Sequence, residues 1–265
     1  MWNTGGKRYV WDDQIGYREF ISGETITTPA GVASTDSGRS SMIPSDDGLF
    51  YFLGATNNTA IYIYDHDSVG TAPDQTLEVG SYNIGNRNSQ SGDILATTSN
   101  SSTDYISIYK NVAGTWGPSP VDTFAPIYTS GIANVKIGNN GQDLFVSYFN
   151  APDNGDSNSG LVEYRARSGD SFSTTTQSLD PPTLGDNTEH DVIDFDGTTL
   201  VTYSNNVTVG DPFTDSFGSF HIWRKPVSTW EIEDSIPVSG KHTFTVVDRD
   251  WETLFEYVTN VVPSK

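Results

Sequence analysis

One short strand pattern recurs five times along the chain, at intervals of 45, 50, 56 and 54 residues. Each copy is rich in β-branched and aromatic residues, which suit a pleated, half-buried surface. Each copy also follows a cluster of Asp, Asn or Gly, residues that form tight turns. The copies begin at Leu49, Ile94, Leu144, Leu200 and Leu254. The recurrence predicts that the chain is built from one β-sheet unit used repeatedly.

A second strand pattern accompanies the first and ends on an aromatic residue. The closing aromatics are Trp11, Tyr64, Tyr109, Tyr164 and Trp223. In four of the five copies another aromatic follows six to eight residues later, giving the pairs Trp11/Tyr17, Tyr109/Trp116, Tyr164/Phe172 and Trp223/Trp230. The mean interval between closing aromatics is 53 residues, so five repeats fill the 265 residues.

Two further strand patterns complete each repeat, which gives four strands named A to D in chain order. Repeats of four strands and about 40–50 residues are typical of a β-propeller blade. The sequence therefore predicts an all-β fold, a five-bladed β-propeller forming a single domain over residues 1–265.

The two ends of the chain carry complementary parts of one repeat. The N-terminus starts with a C strand at residues 7–12, and the C-terminus stops after an A and a B strand. We expect the N-terminal strands to close the last blade, which leaves no open sheet edge. The apolar residues of segment 251–262 also fit one face of a helix, but its Thr and Val residues favour a strand.

The net charge of −20 excludes a nucleic-acid-binding surface, which needs Lys and Arg to replace phosphate counterions. Solubility alone also explains this charge. The chain has no cysteine and no apolar stretch near the roughly 20 residues of a membrane helix, so we expect no membrane insertion. Residues 1–6 lack a basic-then-apolar secretion signal, while Asn, Ser, Thr, Gly and Tyr abound as in outward-facing proteins. Either a signal was removed, or the protein leaves the cell without one, as in a virus particle released by lysis.

With four-strand repeats and an aromatic closing strand C, the chain resembles β-propeller repeat proteins, and among these the FG-GAP-like repeats of microbial and viral surface proteins. The resemblance covers the whole length. That family commonly has a calcium loop of the form Asp-x-Asp-x-Asp-Gly, which this chain matches only in fragments at residues 65–67 and 194–197. The second fragment is typical of a turn, so we predict neither a metal nor a cofactor.

In a propeller, the B–C and D–A loops share one face. Every B–C connection here carries Asn, whose amide both donates and accepts hydrogen bonds and so suits glycans, although Asn also serves turns. Cationic and polar residues at the starts of the A strands should form a ring around the mouth of the central channel, and such a ring suits an anionic or sugar ligand. The alternative is that these residues are polar only because water fills the channel mouth. The ring consists of Arg39, Arg87, Asn134, His190 and His242. Because the two histidines lie on different blades with no third ligand, they do not indicate a metal site.

The two longest B–C loops, residues 150–160 and 204–219, belong to adjacent repeats. The first contains Asn154 and Asn158, and the second contains Phe213 and Phe217. An exposed ring would stack on a sugar or anchor in a protein partner. The alternative is that both rings fold back onto the blade. We include these four residues in the predicted binding face.

Catalytic motifs are absent from the sequence: it has no Gly-x-Ser-x-Gly elbow, phosphate-binding Gly loop or His-Glu-x-x-His. The acidic residues at A strands, Glu189, Asp191 and Asp194, all come from one repeat. We therefore expect a non-enzymatic attachment or structural module on a virion of a phage or archaeal virus. Its partners would be a host receptor, a glycan or a neighbouring virion protein, at the extracellular or virion surface. The alternative is a secreted microbial propeller that binds or cleaves glycans.

Overall fold

The structure is a computed structural model, and part of the chain is described. The backbone is described for residues 2–4, 7–12, 16–19, 41–44, 50–54, 60–65, 73–78, 83–100, 105–128, 132–138, 140–153, 156–172, 174, 177–180, 189–195, 197–206, 217–238, 242–247 and 254–258. Side chains are described for a smaller set within residues 52–235. The regular elements in these ranges are strands that pair into antiparallel sheets, which confirms the all-β prediction.

Repeat 1 is a four-stranded sheet whose strands lie in chain order. Its strands A to D are β4 (Ser41–Pro44), β5 (Phe50–Gly54), β6 (Ala60–Asp65) and β7 (Gln75–Glu78). Each strand pairs with the next, so the sheet order is β4-β5-β6-β7. Ala60, Ile61, Ile63 and Tyr64 of β6 are buried and its other two residues are half-buried, as expected of a strand packed on a core.

Repeat 2 has the same four strands with a short extra strand between C and D. Its strands are β8 (Asn83–Ser91), β9 (Ile94–Asn100), β10 (Ile106–Val112), β11 (Thr115–Trp116) and β12 (Asp122–Phe124). Both β11 and β12 pair with β10. The A–B turn contains Gly92 at φ +58°, the left-handed region that favours glycine.

Repeats 3 and 4 form one continuous sheet of eight strands. The strands are β13 (Ile132–Gly138), β14 (Asp143–Asp153), β15 (Asp156–Ala166), β16 (Gln177–Leu179), β17 (Glu189–Phe195), β18 (Thr199–Asn206), β19 (Phe217–Arg224) and β20 (Glu231–Val238). Among the described strand pairings, the two repeats meet where Tyr148 of β14 pairs with His190 of β17. Strands β17 to β20 pair in chain order, as in repeat 1.

The chain ends form two small sheets. They consist of β1 (Trp2–Thr4), β2 (Lys7–Asp12) and β3 (Gly16–Glu19), and of β21 (His242–Val247) and β22 (Leu254–Val258). Segment 251–262 thus contains a strand, as its Thr and Val content favoured. Strand β1, which pairs with β2, was not expected from the repeat pattern.

The chain divides into two compact units, each with its own aromatic-rich core. Unit 1 consists of residues 1–130, 137–144 and 167–173, and unit 2 of residues 131–136, 145–166 and 174–265. The core of unit 1 contains Phe52, Ile61, Ile63, Leu77, Leu95, Tyr109 and Trp116. The core of unit 2 contains Phe145, Val162, Tyr164, Leu179, Val192, Phe195, Leu200, Trp223 and Trp230. The closing aromatics Tyr109, Tyr164 and Trp223 are therefore core residues, each contributing roughly 1.5–3 kcal/mol through burial of its apolar side chain.

In repeats 1, 2 and 3, the first side chain of strand D accepts a hydrogen bond from a backbone N–H in the C–D turn of the next repeat. In unit 1, Gln75 Oε1 accepts a hydrogen bond from the backbone N–H of Trp116 at 2.8 Å. Asp122 Oδ2, also in unit 1, accepts one from the N–H of Phe172 at 2.9 Å. In unit 2, Gln177 Oε1 accepts one from the N–H of Trp230 at 2.8 Å. Each contact fixes the second aromatic of a repeat over the core.

Candidate functional site

The structure describes the side chains of two of the predicted ligand residues, Asn134 and His190. Arg39, Asn154 and Phe213 lie outside the described residues. Strands β8, β15, β19 and β21 place the backbones of four others, whose side chains are not among those described: Arg87, Asn158, Phe217 and His242. The same applies to the acidic residues of β17, namely Glu189, Asp191 and Asp194.

Asn134 is half-buried and connects strand A of repeat 3 to strand A of repeat 4. Its Oδ1 accepts a hydrogen bond from the N–H of Val135 at 2.9 Å, and its Nδ2 donates to the carbonyl of Val192 at 3.4 Å. Ser147 Oγ donates to the carbonyl of Asn134 at 3.4 Å. The amide thus makes internal hydrogen bonds in this structure.

His190 is fully buried on β17 and belongs to a chain of hydrogen bonds across repeat 4. Trp223 Nε1 donates to Thr202 Oγ1 at 2.9 Å, and Thr202 Oγ1 lies 2.7 Å from His190 Nε2. The indole N–H only donates, so Thr202 accepts from it and has its hydroxyl proton available for His190 Nε2. This arrangement favours the His190 tautomer protonated at Nδ1. That nitrogen is buried and makes no side-chain or backbone hydrogen bond within the described residues.

A second buried histidine, His221 on β19, lies beside the first. Its Nε2 is 2.8 Å from Ser204 Oγ, and its Nδ1 is 2.9 Å from Ser235 Oγ. The two imidazole rings are edge to face, with centroids 5.8 Å apart. Hydroxyl groups, not carboxylates, are thus the hydrogen-bond partners of both rings.

Burial keeps both imidazoles neutral near pH 7. Desolvation, with a smaller effect of the neighbouring His221, lowers the pKa of His190 to about 3. Desolvation lowers the pKa of His221 to about 4. His190 is therefore neutral near pH 7, and it adds no positive charge to the ring of A-strand residues.

A buried ion pair lies in repeat 3. Arg165 Nε donates to Glu163 Oε1 at 2.5 Å, and the Tyr148 hydroxyl donates to Glu163 Oε2 at 2.5 Å. The side chains of Glu163 and Arg165 are 0% and 4% exposed. Removing one partner of such a pair leaves the other charge buried without compensation.

Unit 1 contains an ionic network at the turns of repeats 2 and 3. Arg167 Nη1 donates to Asp93 Oδ1 at 2.9 Å, and Arg167 Nη2 donates to Asp170 Oδ1 at 3.1 Å. Lys110 Nζ donates to the same oxygen of Asp170 at 2.7 Å. Hydrogen bonds from Lys110 and then Arg167 lower the pKa of the Asp170 carboxyl. Because both carboxylates are largely exposed, solvent screens this network.

Within the described residues, no group of three or more His, Cys, Asp or Glu side chains is placed to hold a metal ion. In the described part of the chain there is also no helix long and apolar enough to cross a membrane.

The sequence pointed to His190 of repeat 4 but not to the hydroxyl groups of Thr202 and Ser204 or to the second imidazole, His221. Thr202 and Ser204 lie two residues apart on β18 and so share one face of the strand. His221 of β19 is the direct cross-strand partner of Thr202. Polar residues at alternate positions of a strand whose neighbours are apolar indicate a polar side-chain layer inside the sheet. This alternating pattern is the feature of the sequence from which the polar layer could have been predicted.

No family model matches the chain, and no curated protein matches it either. Solved structures do match, at low sequence identity. The β-propeller domain of Cps50 (Swd1) from Myceliophteria thermophila has a TM-score of 0.55 at 12% identity, with 82% of this chain and 62% of that chain covered.

Two further propellers are similar in the same way. The WD40 domain of Toxoplasma gondii coronin has a TM-score of 0.52 at 12% identity, covering 87% of this chain and 55% of that chain. The Dos1 propeller has a TM-score of 0.53 at 13% identity, covering 94% of this chain and 56% of that chain. This chain spans less than two thirds of each of these structures. Together with the repeated antiparallel sheets, these matches show that the chain is a β-propeller repeat protein.

Proposed function

We propose that this propeller is a non-catalytic binding module of the FG-GAP-like surface type. It would have five blades, the last closed by the N-terminal strands. The proposed setting is the outside of a phage or archaeal virus particle, in the extracellular space. The proposed partner is a glycan, a host receptor protein or a neighbouring virion protein.

The observation that carries the non-catalytic assignment is the use of polar groups in repeats 3 and 4. His190 and His221 are buried and hydrogen-bonded to Thr202, Ser204 and Ser235. In repeat 3, the Glu163 carboxylate is fully buried and paired with Arg165. A general acid or base must reach a substrate proton, directly or through one water. In the described part of unit 2 these titratable groups are placed to hold strands together.

The binding face is assigned to the B–C loops, because loops on a rigid scaffold vary without disturbing the core. The scaffold here consists of paired strands whose aromatic side chains fill the two cores. The residues of the proposed face are Asn154 and Phe213 in the B–C connections, with Asn158 on strand β15 and Phe217 at the start of strand β19 beside them. The net charge of −20 favours a neutral or cationic partner surface over an anionic one at longer range. Arg39, Arg87, Asn134 and His242 remain the proposed polar ring beside these loops, whereas His190 is fully buried and is left out of it.

The experiment compares loop variants with matched changes at the other end of the strands. The purified full-length chain is tested on a glycan array and on intact candidate host cells. The loop variant carries Phe213→Ala, Phe217→Ala, Asn154→Ala and Asn158→Ala. The control carries Val112→Ala and Val227→Ala, whose side chains are 66% and 89% exposed near the C–D turns.

We expect the loop variant to lose binding and the control to keep it. Equal loss in both variants, or loss in the control alone, would place the site elsewhere. Hydrolysis of any polysaccharide in a parallel screen, abolished by Asp191→Asn or Asp194→Asn, would overturn the non-catalytic assignment. That result would favour the glycan-cleaving alternative.

A further inference from the structure

The two buried histidines of repeat 4 lie in one sheet, on the two strands that pair with β18. His190 of β17 and His221 of β19 flank the central strand β18, which provides Thr202 to one ring and Ser204 to the other. Both side chains are buried, at 0% and 2% exposed. A proton added to either ring therefore places a charge inside the sheet.

The groups that face these rings offer little compensation for such a charge. Strand β18 provides Thr202 and Ser204, β19 provides Trp223, and β20 provides Ser235. Among the described side chains, the two rings contact each other, with centroids 5.8 Å apart.

The described groups on the repeat 3 side of the rings also offer little compensation for a charge on either imidazole. Tyr148 of β14 pairs with His190, but its hydroxyl donates to Glu163, whose charge Arg165 already balances. The backbone of Leu179 in β16 acts to raise the pKa of His190, an effect smaller than that of desolvation, which lowers it. The acidic residues of β17, whose side chains are not among those described, are Glu189, Asp191 and Asp194. On β20, Asp234 Oδ1 accepts a hydrogen bond from the N–H of Ser235.

We propose that this histidine pair makes repeat 4 an acid-sensitive element, which opens in mildly acidic solution before the sheet of repeat 2 does. Two protonated rings would be like charges at close range in a low-dielectric interior. The strands that hold them would separate to admit water. Histidine is suited to this role because its ordinary titration lies between pH 5 and 8.

The sign of the pH dependence follows from linkage. The folded chain holds both imidazoles neutral, with pKa values of about 3 and about 4. The unfolded chain binds protons on them below about pH 6.5. Stability is thus fully present above that value and falls as the pH drops toward the folded pKa values. Each histidine lowers the ratio of folded to unfolded protein by up to about tenfold per pH unit.

The first test is direct titration of the imidazole rings by NMR in the wild-type chain from pH 7.5 downward. His190→Gln and His221→Gln assign the signals. We expect both rings to stay neutral in the folded protein at pH 5. A folded-state titration of both rings near their ordinary pKa would overturn the proposal.

The second test is the pH dependence of urea unfolding, followed by Trp fluorescence between pH 7 and 5. In the wild type we expect the ratio of folded to unfolded protein to fall by up to about a hundredfold per pH unit from this pair. His221→Gln should remove about half of this slope, on a logarithmic scale. His66→Gln, the control, should leave it unchanged. A flat wild-type profile, or an equal loss of slope in the control, would contradict the proposal.

The third test asks whether the opening is local. Hydrogen exchange at pH 7 and pH 5, corrected for intrinsic rates, is compared between amides of β18 and β19 and amides of β9 and β10. We expect protection to fall in the first pair of strands and to persist in the second. An equal fall in protection in both pairs of strands would show global acid unfolding and would overturn the proposal of a local opening in repeat 4.

Discussion

Gln177 and Trp230 lie 53 residues apart in the chain and are joined by two hydrogen bonds. Gln177 Oε1 accepts from the backbone N–H of Trp230, and Gln177 Nε2 donates to the backbone carbonyl of Trp230, both at 2.8 Å. One amide side chain thus satisfies both backbone groups of a residue that lies outside a strand and whose ring is buried. The contact joins the start of strand D in repeat 3 to the C–D turn of repeat 4.

Changing Gln177 to Leu should destabilise the protein by about 1–3 kcal/mol, since two backbone polar groups of Trp230 lose their partner. Gln177→Glu keeps the acceptor and loses the donor, so it should cost less than Gln177→Leu. Urea unfolding measures both changes. Ser228→Ala, an exposed position in the same turn, is the control and should change stability little. Equal stability of the leucine variant and the wild type would show that solvent replaces the contact.

Thr202→Val should destabilise the protein by about 1–3 kcal/mol, because it leaves Trp223 Nε1 and His190 Nε2 buried without partners. The two side chains have nearly the same shape, so packing changes little. Thr123→Val, at an exposed strand position, is the matched control. Thermal unfolding of both variants gives the comparison, and equal small effects would contradict the hydrogen-bond chain.

Gly92→Ala should destabilise the A–B turn of repeat 2 for two reasons. The residue has φ +58°, and an added Cβ would lie 2.9 Å from the carbonyl oxygen of Asn140. Gly114→Ala separates these effects, because Gly114 has φ +86° but open space around its Cβ position. We expect about 1 kcal/mol from backbone strain at Gly114 and a larger loss at Gly92. A smaller loss at Gly92 than at Gly114 would show that the Asn140 turn moves aside without cost.

Deletion of residues 1–12 should lower the melting temperature, because it removes β2 together with Tyr9, Val10 and Trp11. Each large apolar side chain contributes roughly 1.5–3 kcal/mol when buried. The proposed closure of the last blade by these strands further predicts that the amides of β22 lose protection from hydrogen exchange, while those of β18 keep theirs. Removal of residues 263–265 is the control. An unchanged melting temperature, or unchanged protection of β22, would contradict closure.

Local sequence was sufficient for the strands and the repeat. The run from Phe50 to Gly54 and the run from Ala60 to Asp65 are strands because β-branched and aromatic residues suit the pleated sheet on which they lie. Residues that form turns separate the two runs. The same local rules gave the strand at Leu254–Val258 against a helical alternative. The propeller fold followed from counting such strands, which needs no knowledge of their side-chain contacts.

The role of single polar residues was decided by tertiary structure. The sequence placed His190 at the start of an A strand and predicted a ligand contact there. The fold buries the ring beside Thr202 and His221, which come from two other strands. Similarly, Gln177 has no feature in the sequence that distinguishes it from an exposed strand residue. Its partner, Trp230, is brought close only when two repeats pack, and burial then makes each unpaired polar group costly. The sequence by itself determined where strands form because that preference is local, whereas the partners of polar groups depend on which distant strands meet.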